Sequence, residues 1–135
     1  MGRTTSIMAC ATLLLAMAAS SCGKGEPAPY SHEAARLAAE DCYRSLVNGD
    51  YGRYISYLDV TDSIPSDYSA ELEDMAAQSM ARQGECNAIV GVSSLTDSLF
   101  ADSTADVFLD ILFADSTHEV VCLPMVLRSG RWLVR

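Results

Sequence analysis

The chain predicts an α+β domain, in which N-terminal helices pack on one face of a curved antiparallel sheet of about four strands. Three features of the 135 residues carry this expectation. Between Ser31 and Gly84 the apolar residues recur at helical spacing, and beyond Cys86 the pattern changes to period two with many β-branched residues. A third feature is that one set of alternate positions in the later half is wholly apolar, which is the face that helices would cover.

The helices follow from their stop and start signals. Ser31 is a suitable N-cap. Ala35, Ala38, Ala39, Cys42, Leu46 and Val47 then form one stripe that Gly49 ends. Asp50 opens a shorter helix with Tyr51, Tyr54, Ile55 and Leu58 at the i, i+3, i+4, i+7 spacing. Pro65 closes that region, and a third helix carries Tyr68, Leu72, Met75, Ala76 and Met80 until Gly84.

Strands are expected at about Asn87–Leu95, Ala105–Ala114, Glu119–Arg128 and Arg131–Val134. "LFADST" occurs at Leu99–Thr104 and again at Leu112–Thr117, and both copies read as an apolar strand end running into a turn. A three-residue loop at Ser116–His118 would pair Ile111 with Leu123, Leu109 with Met125 and Val107 with Leu127. That register puts Val107, Leu109, Ile111, Phe113, Val121, Leu123, Met125 and Leu127 on one face, whereas a two-residue loop mixes both faces. A tight turn at Ser129-Gly130 adds Trp132 and Val134 to the same face.

Three segments make up the chain. Arg3 followed by an apolar run from Ile7 to Ala19 fits a secretory leader, since about 13 residues fall short of the ~20 that span a membrane. "AASSC" resembles a bacterial lipobox, in which the Cys22 thiol takes a diacylglyceryl group, the leader (residues 1–21) is cut off just before it, and the new amine is acylated. Anchoring by several acyl chains would be essentially permanent. Alternatives are myristoylation of Gly2 in "MGRTTS" and ordinary cleavage that leaves Cys22 a plain thiol. "CGKGEPAPY", residues 22–30, reads as a flexible tether, and the domain occupies residues 31–135.

Composition narrows the partners. The chain has 9 Lys and Arg against 18 Asp and Glu, a net charge of −9. Loss of Arg3 with the leader takes this near −10, which argues against nucleic acid and against docking on anionic lipid through a basic face. With half of the residues apolar, one packed core is within reach.

"LVNGDYGRY" after a helix, "ADVFLDILFAD" as a strand and the closing "RSGRWLVR" resemble the nuclear-transport-factor-two-like, cone-shaped superfamily (NTF2-like), across roughly Ser31–Arg135. More narrowly they are similar to small domains without assigned function in bacterial lipoproteins. The resemblance implies either a cone that holds a ligand or, in the superfamily's isomerases, a pocket acid; members also dimerise through the outer sheet face.

Among the residues, Tyr51, Tyr54, Tyr57 and Trp132 are the candidates for a ligand pocket, because phenols and an indole offer an apolar body and a polar tip. Phe108, Leu112 and Val126 are candidates for a partner face, greasier than a lone domain needs. The preferred register points Asp106 and Asp110 away from the helices; the other register makes Asp110 a pocket acid. His32 and His118 show no partner in the sequence. Cys42, Cys86 and Cys122 lack the close spacing of a zinc site, and an oxidising envelope would allow one disulfide among three pairings. "GVSSL" lacks the second glycine of a hydrolase elbow, and no cofactor motif is present.

The expectation is a lipid-anchored envelope protein, at the outer membrane because Gly23 rather than aspartate follows Cys22. Its domain binds a ligand or protein partner without catalysis. The alternatives are an isomerase- or dehydratase-like enzyme and a structural accessory subunit of an envelope assembly.

Overall fold

The computed structural model describes residues 25, 27–60 and 64–135. The leader and the lipobox, Cys22 included, lie outside them. Three helices precede four strands: α1 (His32–Val47), α2 (Tyr51–Ser56), α3 (Ser66–Cys86), β1 (Ile89–Phe100), β2 (Thr104–Phe113), β3 (His118–Arg128) and β4 (Arg131–Val134). The strands form one antiparallel meander in the order β1-β2-β3-β4. No described helix is long and apolar enough to cross a membrane.

α1 starts as its cap dictates. Ser31 Oγ accepts the Ala34 N–H at 3.1 Å, so one of the free donors of the first turn is satisfied. The buried side of α1 is built from small residues, Ala35, Ala39, Cys42 and Ser45, which lets the helix lie close on the sheet. Ser45 keeps its hydroxyl bonded by donating to Asp41 O at 2.7 Å. Gly49, at a φ of +80°, turns the chain so that Asp50 can cap α2 by accepting the Arg53 N–H at 3.3 Å.

α3 differs from its expectation in two ways. It runs past Gly84 to Cys86, and its apolar side is only partly used. Ala76 is buried, but Tyr68 and Met75 face solvent, Met75 with 63% of its surface exposed. The helix packs mainly on α2 and α1 rather than on the sheet.

The two "ADST" copies build the same loop. Ser103 and Ser116 both adopt positive φ (63° and 69°), and Asp102 and Asp115 each accept the N–H of the threonine two residues on, at 3.2 and 3.0 Å. The β2–β3 loop is therefore Ala114–Ser116, closed by Phe113 N–H to Thr117 O at 2.9 Å. This corrects the expected register. Ile111 stands opposite Glu119, Leu109 opposite Val121 and Val107 opposite Leu123. The loop keeps three residues but begins two positions earlier, because the Asp115–Thr117 bond fixes where the turn falls. Alternation cannot detect an even shift of register, so the faces survive it. Val107, Leu109, Ile111, Leu123 and Met125 are buried under α1, together with Ala105 and Trp132.

β1 extends five residues beyond its expected end, to Phe100, with irregularities between Ile89 and Gly91 and between Ser94 and Thr96. Its inward side is partly polar. Asp97 meets His32 and Arg36, Glu40 accepts the Ser94 N–H at 2.8 Å, and Arg44 donates to Val92 O at 2.9 Å. At the other edge, Ser129 and Gly130 both take positive φ and close the β3–β4 hairpin as expected. The chain leaving α2 then bonds to β4, with Val134 N–H to Tyr57 O at 2.7 Å and Asp59 N–H to Val134 O at 2.9 Å.

The helical state of Gly84 has a measurable consequence. Nothing lies within 4 Å of a Cβ added there, and its φ is not positive. Gly84→Ala should therefore raise stability by about 0.5–1 kcal/mol in urea denaturation. A loss of stability would instead mean that Gly84 terminates the helix in the left-handed conformation.

Candidate ligand cleft

One opening lies at the end of the domain where α1 begins and the β3–β4 turn ends. A cleft of about 390 Å³ is lined there by Leu37, Ala38, Tyr57, Arg131 and Trp132 together with Pro27 and Pro29. Trp132 reaches it because the two-residue turn pairs it with Leu127, which points the indole inward beneath α1. Only 3% of Trp132 is exposed.

The N-terminal stretch is held against this indole. Trp132 Nε1–H donates to Pro29 O at 2.7 Å, and the Tyr30 ring stacks on Trp132 at 6.5 Å with 20° between planes. The Tyr30 hydroxyl donates to Phe100 O at 2.6 Å, and Ser31 Oγ donates to Ala28 O at 2.7 Å. The segment Ala28–Tyr30, expected to be tether, thus lies fixed on the domain.

Beside the cleft is a polar cluster. Asp41 Oδ2 accepts from the Tyr57 hydroxyl and from Arg53 Nε and Nη2, the latter two at 2.9 and 2.7 Å. Burial pushes the Asp41 carboxyl up, but the hydrogen bonds from Tyr57 and Arg53 and the charges of Arg53 and Arg44 outweigh it and leave the pKa lowered. Burial, then the bond and charge of Asp41, push the Tyr57 phenol up to about 12, against the opposing pull of Arg53 and Arg131. The phenol is thus held as a donor to an ionised carboxylate. Neither group is poised to exchange a proton near neutral pH, which general acid–base work requires. The Arg131 guanidinium lies over the Tyr57 ring, 5.1 Å from its centre.

Of the four residues expected at a pocket, the fold brings Tyr57 and Trp132 together. Tyr51 lines a separate depression with Val47, Met80 and Ile89, and Tyr54 lines another with Leu46, Leu72 and Met75. On the outer sheet face, Phe108 and Leu112 are half-buried, whereas Val126, flanked by Thr104 and Leu133, is 9% exposed and offers little to a partner. Asp106 and Asp110 point outward with them.

Both histidines have partners, contrary to their reading in the sequence. His118 Nδ1 lies 3.0 and 2.9 Å from the Asp110 oxygens, and His32 pairs with Asp97. The three described cysteines are free thiols. Burial and the charge of Asp41 push Cys42 up to about 12, so its thiol is inert, while Cys86 and Cys122 are exposed on separate elements. Among the described residues no group of His, Cys, Asp and Glu is arranged to hold a metal ion. Asp41, Arg53, Arg131 and the two prolines were not foreseen. Asp41 and Arg53 lie on different helices with no local motif joining them, although the aromatic Tyr30 after two prolines could have signalled a docked segment.

The lowered Asp41 pKa makes the cluster's contribution dependent on pH. A carboxylate whose folded pKa is depressed stabilises the fold above its unfolded pKa, and that stability is lost as pH falls through the folded value. With 38% of its side chain exposed, Asp41 should contribute at the low end for a charged hydrogen bond, about 1 kcal/mol. Asp41→Asn should lower stability at pH 7 by that amount, and the difference from the unmodified chain should shrink below about pH 4. A difference independent of pH would show that the charge contributes nothing.

Comparison with known proteins gives a likeness in structure only. No family model matches the chain, and no curated protein matches it. Among solved structures, the crystal structure of a Campylobacter jejuni protein described as an NTF2-like transpeptidase superposes with a TM-score of 0.57 at 17% identity. The match covers 71% of this chain and 92% of that one. Helices on the apolar face of a curved four-stranded meander, matched to that structure, identify the domain as NTF2-like in fold.

Proposed function

We propose that the protein is a lipid-anchored component of the bacterial envelope whose NTF2-like domain binds a ligand rather than transforming it. The observation that carries this reading is the cleft at Trp132 and Tyr57. It is concave, mostly apolar and of the size that small ligands occupy. The acids nearby favour binding over turnover. Asp41 is ion-paired with a lowered pKa, and Asp110 lies on the outer face with His118. An isomerase would need a carboxyl tuned upward in an apolar pocket.

A protein partner on the outer sheet face is the second reading. Val120 there is 58% exposed and Phe100 43%, which is more apolar surface than solubility favours. The anchor rests on the lipobox, and the outer membrane on Gly23 after Cys22.

Two measurements test the proposal. Cys22→Ala should move the protein from the membrane fraction to the soluble one and abolish palmitate incorporation; persistence in the membrane would sink the anchor. Native mass spectrometry of the protein purified gently from the envelope should show a monomer with added mass. A bare dimer would transfer the function to the sheet face.

A further inference from the structure

The geometry points to the Trp132 cleft as a site for an apolar molecule bearing one anionic group, built jointly by the folded body and the Pro27–Tyr30 strap. This rests on the reading of that cleft as a ligand site and adds the ligand's chemical class.

The lining sets the apolar half of the ligand. Trp132, the Tyr57 ring, Leu37 and Ala38 line the cleft from the folded body, and Pro27 and Pro29 line it from the strap. A lining of rings and short aliphatic side chains suits an apolar body, with little side-chain freedom lost on binding. Pro27 and Pro29 have φ fixed near −65°, and Pro29 restrains Ala28 to extended backbone, so the strap's wall is stiff as well.

Charge sets the other half of the ligand. In this acidic chain, Arg36, Arg44, Arg53 and Arg128 are each paired with a carboxylate. Arg131 at the rim makes no ion pair among the described residues. Its Nη2 donates to Ser56 Oγ at 3.2 Å, and the guanidinium carbon lies over the Tyr57 ring. The planar fork of an arginine is suited to a carboxylate, sulfonate or phosphate, and its place over the ring leaves it beside the cleft. The neighbouring Tyr57 hydroxyl is already committed to Asp41, so Arg131 is the group that reads the anion.

The strap makes the site conditional. Pro29 is held by Trp132 Nε1 and by the Tyr30 stack, so one wall exists only while the strap is docked. Strap docking and ligand binding then strengthen each other by linkage.

The test uses two probes with the same rings, 8-anilinonaphthalene-1-sulfonate and its uncharged counterpart N-phenyl-1-naphthylamine. They are titrated into the full chain carrying Cys22→Ala, so that no detergent competes for them. Trp132 is the sole tryptophan, so energy transfer from it reports binding at the cleft. Both probes should bind, the sulfonate more tightly. Arg131→Gln should weaken the sulfonate by roughly tenfold or more, the loss expected of one charged hydrogen bond, and the neutral probe less than about twofold. Pro27→Gly/Pro29→Gly should weaken both, with far-UV circular dichroism confirming the fold; if that double variant unfolds, Pro27→Gly alone should show the same direction.

Equal effects of Arg131→Gln on the two probes would overturn the anion assignment. Unchanged binding in the strap variant would overturn the shared wall. If neither probe binds while native mass spectrometry still finds a retained ligand, the inference fails and the ligand-binding reading stands. If no ligand is retained either, both fail.

Discussion

The indole of Trp132 sits where three parts of the chain must meet. Its ring closes the core beneath α1 and lines the cleft, and its N–H holds the Pro29 carbonyl. A buried indole donor without an acceptor would carry a desolvation cost of roughly 1–3 kcal/mol, so the position of the N-terminal segment is tied to the packing of β4. The tight Ser129-Gly130 turn is what delivers the ring to that point, since a different loop length would turn it to the other face. The exit of α2 depends on the same strand: Tyr57 and Asp59 bond to Val134, and Arg128 reaches Asp59 at 2.9 Å. Tyr57 therefore stands beside Trp132 for reasons of backbone pairing, and the aromatic walls of the cleft follow from it.

A second constraint operates at the opposite edge. Among the described residues β1 pairs only with β2, and its inward side carries Ser94 and Asp97 where apolar residues would be expected. α1 answers with charges at four-residue intervals, Arg36, Glu40 and Arg44, each bonded to a side chain or backbone group of β1. Burial pushes the Glu40 carboxyl up, yet the Ser94 hydrogen bonds and the charges of Arg44 and Arg36 leave it lowered, so it remains an ionised acceptor. The core is thus greasy toward β2 and β3 and polar toward β1. The polar contacts fix where the helix sits along the strand, which apolar packing alone would leave less defined.

The sequence revealed what depends on period and on local turn chemistry. The apolar face, the caps at Ser31 and Asp50, the Ser129-Gly130 turn and the repeated "ADST" device were all legible, because each is written within a few residues. The outward direction of Asp110 was legible for the same reason. The position of the β2–β3 loop was not, because a shift of two residues leaves the faces unchanged and only the Asp115–Thr117 bond selects it. The far half of β1 was hidden because the irregularity near Leu95 breaks the alternation. Of the site, Tyr57 and Trp132 could be named from their chemistry. The company of Asp41, Arg53 and Arg131 is created by tertiary packing across 12 to 90 residues and has no local signature.

The clasp of Pro29 and Tyr30 on Trp132 also decides how force enters the domain. A pull on the chain before Ala28 does not unravel α1 from its first turn; it arrives first at a hydrogen bond and a ring stack seated on β4. From there it passes to a strand paired on one side to β3 and on the other to the Tyr57–Asp59 segment. Seven residues, Cys22 to Ala28, can extend at most about 25 Å, so the anchor proposed at Cys22 would work on a short lead. The domain would be held at its Trp132 corner, with its cleft at the point of suspension and its outer sheet face free to swing.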